Sequence, residues 1–199
     1  MTQPPREARL TFSETITNVS SEDLIGTVEG QACRGVERIR LAISTDGGEV
    51  ASSMRAYEGL RSMTLERGVE LVTENPSAVE SMGNAIYLAG DRQLAYPDAK
   101  FFLHPITIIT TRGRFDIVGL QEERRKRERS GDPPDLLHEL DLGIVRLECE
   151  EKALRALFEQ RTKLTGGEVR SLVQENRELD ASEAQALGIV HEIIQPSAS

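Results

Sequence analysis

The chain has 199 residues, 38% of them hydrophobic, enough for one domain with a sizeable core and too apolar for a disordered one. Its 33 acids against 24 Lys and Arg leave a net charge of −9, which argues against a nucleic-acid binder and against docking on an anionic membrane. No apolar run is long enough to span a bilayer, the polar N-terminus carries no secretory h-region, and Cys33 and Cys149 lie far apart and fit no metal spacing. The expectation is a cytoplasmic protein with reduced thiols, no metal and no cofactor.

After a loose tail over residues 1–8, Arg9 to Ile16 reads as a first strand. Ser20-Ser21-Glu22-Asp23 predicts a helix start, with hydroxyls at the cap and acids in the first turn. Leu24, Ile25, Val28 and Ala32 give that helix one apolar face, and Gly35 ends it. Ile39 to Ser44 has the composition of a buried parallel strand. The following Thr45-Asp46-Gly47-Gly48-Glu49 lets the backbone turn tightly and approach a ligand, with amides left as donors near a helix start. The same pair of glycines also fits an ordinary strand-to-helix turn, and no phosphate-loop lysine accompanies it to suggest a nucleotide. The helix Val50 to Glu66 carries Val50, Met54, Tyr57 and Leu60 at helical spacing and stops at Gly68.

Val69 to Thr73 is the next strand, and Met82 to Ala89 is a helix-like apolar run. Ser81 lies at the junction, where a strand end hands over to a helix start. A hydroxyl there sits near unpaired helix N–H groups, which suits a nucleophile and also suits a helix cap. Arg92 to Ala95 and Lys100 to Leu103 are short strands, and the second ends at His104-Pro105. Proline keeps the residue before it extended, so His104 is expected on the rim of the sheet. Short parallel strands alternating with helices predict a coiled α/β stack.

From Phe115 the character changes. Gln121 to Arg129 is nearly all charged, and Glu122 with Lys126 and Glu123 with Arg127 are acid-first pairs that support a solvated helix. Gly131-Asp132-Pro133-Pro134 breaks it. Leu136 to Leu164 resumes as helix, with Leu140, Ile144, Leu147, Leu154 and Leu157 at helix-compatible intervals and His138 on its surface. This amphipathic arm predicts an oligomer. A short helix over Glu168 to Gln174, a link over Glu175 to Leu179, a helix capped by Asp180 with Glu183, and a last strand Ile189 to Ile194 complete the domain; residues 195–199 are tail.

A serine attacking a carbonyl needs a base for its proton and donors where negative charge develops. Ser81, His104 and the N–H groups of Gly47 and Met82 meet that description. The motifs Ser44-Thr45-Asp46-Gly47-Gly48, Ser81-Met82-Gly83-Asn84, Phe102-Leu103-His104-Pro105 and Ala181-Ser182-Glu183-Ala184-Gln185-Ala186-Leu187-Gly188-Ile189-Val190 resemble, in order and spacing, the proteolytic subunit of the Clp protease, within the crotonase-like superfamily. The resemblance covers residues 9–194 and implies a repeated β-β-α superhelix with a protruding helical handle over about residues 115–164. It implies a serine endopeptidase with Ser81 as nucleophile, His104 as base, and the N–H groups of Gly47 and Met82 as the oxyanion hole. It further implies a peptide or unfolded-protein substrate and a ring-shaped homo-oligomer. An ATPase unfoldase partner belongs to the family too, but the N-terminal segment that meets it is largely missing here.

The sequence departs from the family in four places. Asp46 stands where proline is usual, and Glu80 where a small residue is usual. Asn176 occupies the place of the third triad member, an aspartate in the family; Glu175 and Asp180 are the alternative acids nearby. Roughly 20 residues are inserted in the handle, around Arg125 to Leu142. Two other readings stay open: a superfamily enzyme acting on acyl-CoA thioesters with Glu80 as acid/base, and an inactive scaffold subunit that pairs with an active paralogue.

Overall fold

A computed structural model describes residues 6–195. The expected tails over residues 1–8 and 195–199 fall largely outside them, although the first strand, β1 (Glu7–Phe12), begins inside the N-terminal one. Helix α1 (Asn18–Cys33) starts earlier than its Ser-Ser-Glu-Asp signal suggests. Thr17 is the cap and Ser20 sits at N3, each side chain bonding the other's backbone in a capping box. Strand β2 (Arg38–Ile43), helix α2 (Val50–Arg67) and strand β3 (Glu70–Asn75) follow. Gly68 closes α2 in the left-handed conformation.

A strand absent from the sequence reading comes next. β4 (Ala78–Glu80) lies between β3 and the five-residue helix α3 (Gly83–Tyr87), so Ser81 leaves β4 rather than β3. Then come β5 (Arg92–Ala95) and β6 (Lys100–Phe102). They are followed by a second unanticipated feature, the hairpin β7 (Ile108–Thr110) and β8 (Gly113–Phe115).

The handle is α4 (Ile117–Arg129) antiparallel to α5 (Pro134–Arg161), the latter roughly 42 Å long at 1.5 Å per residue. Gly143 of α5 lets these parts close up: a Cβ there would stand 2.9 Å from Leu120 and 3.0 Å from Ile108. Arg124–Asp141 at 2.7 Å and Arg127–Glu123 at 2.6 Å tie the charged faces. Among the described residues, no ion pair joins Glu122 to Lys126. The chain ends with α6 (Gly166–Gln174), β9 (Glu178–Asp180), α7 (Ala181–Ala186) and a two-residue β10 (Glu192–Ile193). The segment expected to be an irregular link thus contributes β9, and the last strand is shorter than expected.

Two sheets explain why the strands are short and frequent. The larger, β1-β2-β3-β5-β10, is wholly parallel. The smaller, β4-β6-β9, pairs β4 with β6 in parallel and β6 with β9 antiparallel. Single bridges, Ile16 with Gly48 and Thr45 with Val79, extend this second layer back toward the N-terminus. Each of the first turns of the coil therefore lays one strand, or one bridge, in each sheet before its helix, whereas at the C-terminal end β9 and β10 lie on either side of α7. Core side chains fill the space between: Ile39, Leu41, Ile43 and Leu71 from the large sheet, Leu60 from α2, and Phe101 from β6 are all fully buried. Burying each such side chain contributes about 1.5–3 kcal/mol.

Candidate active site

Ser81 follows β4 with φ +50°, a left-handed conformation that a non-glycine residue seldom adopts. Hydrogen bonds hold it there. Ser81 N–H donates to Phe102 O at 2.8 Å, continuing the β4–β6 pairing. The fully buried Asn84 side chain donates to Ser81 O at 3.0 Å and to Phe102 O at 3.2 Å. Strain held by such a network is a mark of functional turns.

The Gly-Gly turn is laced to the same place. Thr45 N–H donates to Ala78 O and Glu80 N–H to Thr45 O, at 3.2 and 2.9 Å. At Gly47 (φ +92°) a Cβ would lie 2.7 Å from Ser81 Cβ and 2.9 Å from Glu80 O, so only glycine fits. Gly47 N–H donates to Thr45 Oγ1 at 3.1 Å and is thus already engaged. The neighbouring amide is different. Gly48 bridges Ile16 through its flanking groups, Ile16 N–H to Gly47 O and Glu49 N–H to Ile16 O. In a parallel pair the bridging residue's own N–H then points to the opposite edge, away from Ile16. Gly48 N–H, like Met82 N–H, has no hydrogen-bond partner among the described residues, and both residues line a cleft with Ser81.

His104 follows β6. Its Nδ1 lies 2.8 Å from Pro105 O. A carbonyl can only accept, so Nδ1 carries the hydrogen and Nε2 of the neutral ring keeps a lone pair. The Phe102 ring, 5.5 Å away between centroids and tilted by 37°, steadies one face. Ser81, Met82, Gly47, Gly48 and His104 line one cleft of about 780 Å³, walled by Ile108, Ile109 and Arg114 of the hairpin and by Arg146 and Glu150 of α5. Within it the Ser81 hydroxyl makes no hydrogen bond to His104 or to any other described group.

Asn176, also left-handed at φ +51°, borders a second depression that it shares with His104, and the Leu103 N–H to Arg177 O bond at 2.9 Å brings the two loops together. Its side chain makes no hydrogen bond to the imidazole. Glu175 lies 3.9 Å from Arg177 and faces a different depression, beside Leu164. Asp180 caps α7 by accepting from Glu183 N–H at 2.8 Å. Glu80 does not line the cleft. Among the described residues, no group of three or more His, Cys, Asp or Glu is placed to hold a metal, and no helix is long and apolar enough to cross a membrane.

Sequence reasoning picked out the Gly-Gly turn but named Gly47 rather than Gly48 as the donor, and it missed the bracing role of Asn84 and the β7–β8 hairpin. The hairpin had a signal: the β-branched run Ile106-Thr107-Ile108-Ile109-Thr110 before Gly113. The choice between the two glycines and the role of Asn84 had none, because they depend on which neighbour each amide faces.

No protein-family model and no curated protein matches the chain. Among solved structures, an asparagine-to-aspartate mutant of ClpP1 from Listeria monocytogenes superposes with a TM-score of 0.67 at 18% sequence identity, over 96% of this chain and 92% of that one. A likeness at that identity and over that extent concerns architecture, and the chain has the ClpP-like fold, handle included.

Proposed function

We propose that the protein is a serine endopeptidase of the Clp proteolytic-subunit type. The observation that carries this is Ser81, held at a left-handed turn and opening on the same cleft as a histidine whose Nε2 is free to act as base. Nε2 takes the Ser81 proton as Oγ attacks the scissile carbonyl. Met82 N–H and Gly48 N–H receive the developing oxyanion. Gly47 N–H joins them only by leaving Thr45. The imidazolium then protonates the leaving amine, and water releases the acyl group by the reverse sequence. Apo geometry with a loose serine–histidine contact is common in such enzymes and tightens on binding substrate.

The cleft suits an extended, unfolded peptide, and the handle suits assembly of a cytoplasmic ring of identical subunits; an ATPase partner is a separate question of the same kind. The acyl-CoA reading loses support because Glu80 is not among the residues that line the cleft. A scaffold role keeps one specific support, the neutral Asn176 beside His104. The deciding experiment is reaction with a fluorophosphonate, followed by peptide mapping. The expected adduct is on Ser81, and it disappears in Ser81→Ala and falls at least a hundredfold in rate in His104→Gln. A well-folded assembly that never labels, with or without added peptide, rejects the peptidase and leaves the scaffold.

A further inference from the structure

The peptidase reading, on which this inference rests, needs something that Ser81 and His104 do not supply: a negative charge to balance the imidazolium. Asn176 is neutral. The Pro105 carbonyl fixes the tautomer of His104 but carries no net charge. On the Ser81 side the cleft holds Asp46, Glu49 and Glu150. Glu150 accepts from Arg146 at 2.8 Å and Glu49 from Ser52 at 2.7 Å. An anion on that side also faces the developing oxyanion, which it opposes.

Apart from the cleft that holds Ser81, His104 also lines a depression of about 350 Å³ that it shares with Asn176, Arg114 and Asp116. Asp116 is the carboxylate on it. Its Oδ1 accepts from Gly119 N–H at 2.7 Å and caps α4, which fixes where the group stands. Its second oxygen makes no hydrogen bond among the described residues. We infer that Asp116 is a positioning residue that supplies the missing charge, acting through His104 in place of the aspartate that Asn176 replaces. The proton passes from Ser81 Oγ to His104 Nε2 and then to the leaving amine; none is transferred to Asp116.

Other charges face the pair. Arg114 of β8 lies on the same depression and opposes Asp116 at the imidazole. Behind Asp116, a small cavity also lined by Pro105 holds Glu151 and Arg155 of α5 and Arg170 of α6. Burial lifts the Glu151 carboxyl above its ordinary range; Arg155 and Arg170 oppose that rise and Asp116 adds to it. Both arginine charges are thus partly answered by Glu151, so Asp116 is not simply cancelled by them.

The test is an NMR titration of His104 in the ring-labelled full chain, with the rate of Ser81 labelling by a fluorophosphonate followed against pH in parallel. Asp116→Asn keeps the cap, since asparagine serves there as well as aspartate, and removes only the charge. The His104 midpoint is expected to fall, and the labelling rate to drop by about three- to tenfold. Asn176→Asp in the same background is expected to restore both. Asp116→Ser, a second neutral cap, should reproduce the shift. A His104 midpoint that stays put in Asp116→Asn, or moves only in the serine variant, overturns the inference. A parent chain that never labels at Ser81 rejects the peptidase instead, while the titration still decides whether Asp116 and His104 are coupled.

Discussion

Replacing Gly47 by alanine tests the meeting of the Gly-Gly turn with the serine turn. Two penalties act together. The left-handed backbone at φ +92° costs an L-residue about 1–2 kcal/mol. The new Cβ, 2.7 Å from Ser81 Cβ and 2.9 Å from Glu80 O, must also push apart two strand ends that are bonded to each other, an overpacking cost of about 1–3 kcal/mol. Gly68 provides the control, because it is left-handed at φ +66° yet has nothing within 4 Å of its hypothetical Cβ. Gly68→Ala should therefore show the backbone cost alone. Urea unfolding of the full chain is expected to place Gly47→Ala about 1–3 kcal/mol below Gly68→Ala, and only the former should lose reactivity at Ser81. Equal stability in the two variants, with an unaltered labelling rate in Gly47→Ala, refutes the packing of these two turns.

Other substitutions probe the parts separately. Asn176→Asp restores a carboxylate beside His104 and should raise the rate of Ser81 labelling about tenfold, read by stopped assay against pH. Asn84→Ala removes the buried donor that holds Ser81 O and Phe102 O. It should cost about 1–3 kcal/mol in denaturant unfolding and slow labelling, since three carbonyls, that of Val79 included, lose a partner. His191 accepts from Gln93 N–H at 3.3 Å through Nδ1, and burial, with Arg161 and Arg92, holds its pKa below 6.5. The unfolded chain therefore binds the proton more readily. The stabilising effect of neutral His191 is fully present above pH 6.5 and is lost as the pH falls through the lower folded value. Thermal melts between pH 7.5 and 5 should show a smaller loss in His191→Gln than in the parent.

The elements with a long periodic pattern are legible in the sequence. The helices expected over Val50 to Glu66 and Leu136 to Leu164 announce themselves through apolar spacing and end signals, Gly68 for the first and Pro133-Pro134 for the second, and are observed over Val50–Arg67 and Pro134–Arg161. Of the second sheet only β6 was legible. β4 and β9 have three residues each, too few for an alternation to register, and β4 is preceded by proline and serine, which read as turn. At the site, Ser81 could be picked out as a strand-to-helix junction and His104 because it ends an apolar strand segment before a proline. The share of Gly47 and Gly48 could not be divided from sequence, because it turns on Thr45 capturing one amide and Ile16 orienting the other. The acid beside His104 was sought near Asn176 along the chain, whereas Asp116, across the fold on the cap of α4, shares its depression.

The antiparallel pairing of β6 with β9 has a consequence for the chain during its synthesis. The loop that carries His104 is braced by Arg177 and by the strand that follows it, more than seventy positions later. A growing polypeptide that has emerged only through the handle already owns its serine turn but has nothing to close the other edge of the histidine loop. The histidine loop is therefore complete only once β9 has been made. Under the peptidase proposal, a chain halted in the handle would carry Ser81 without a braced His104.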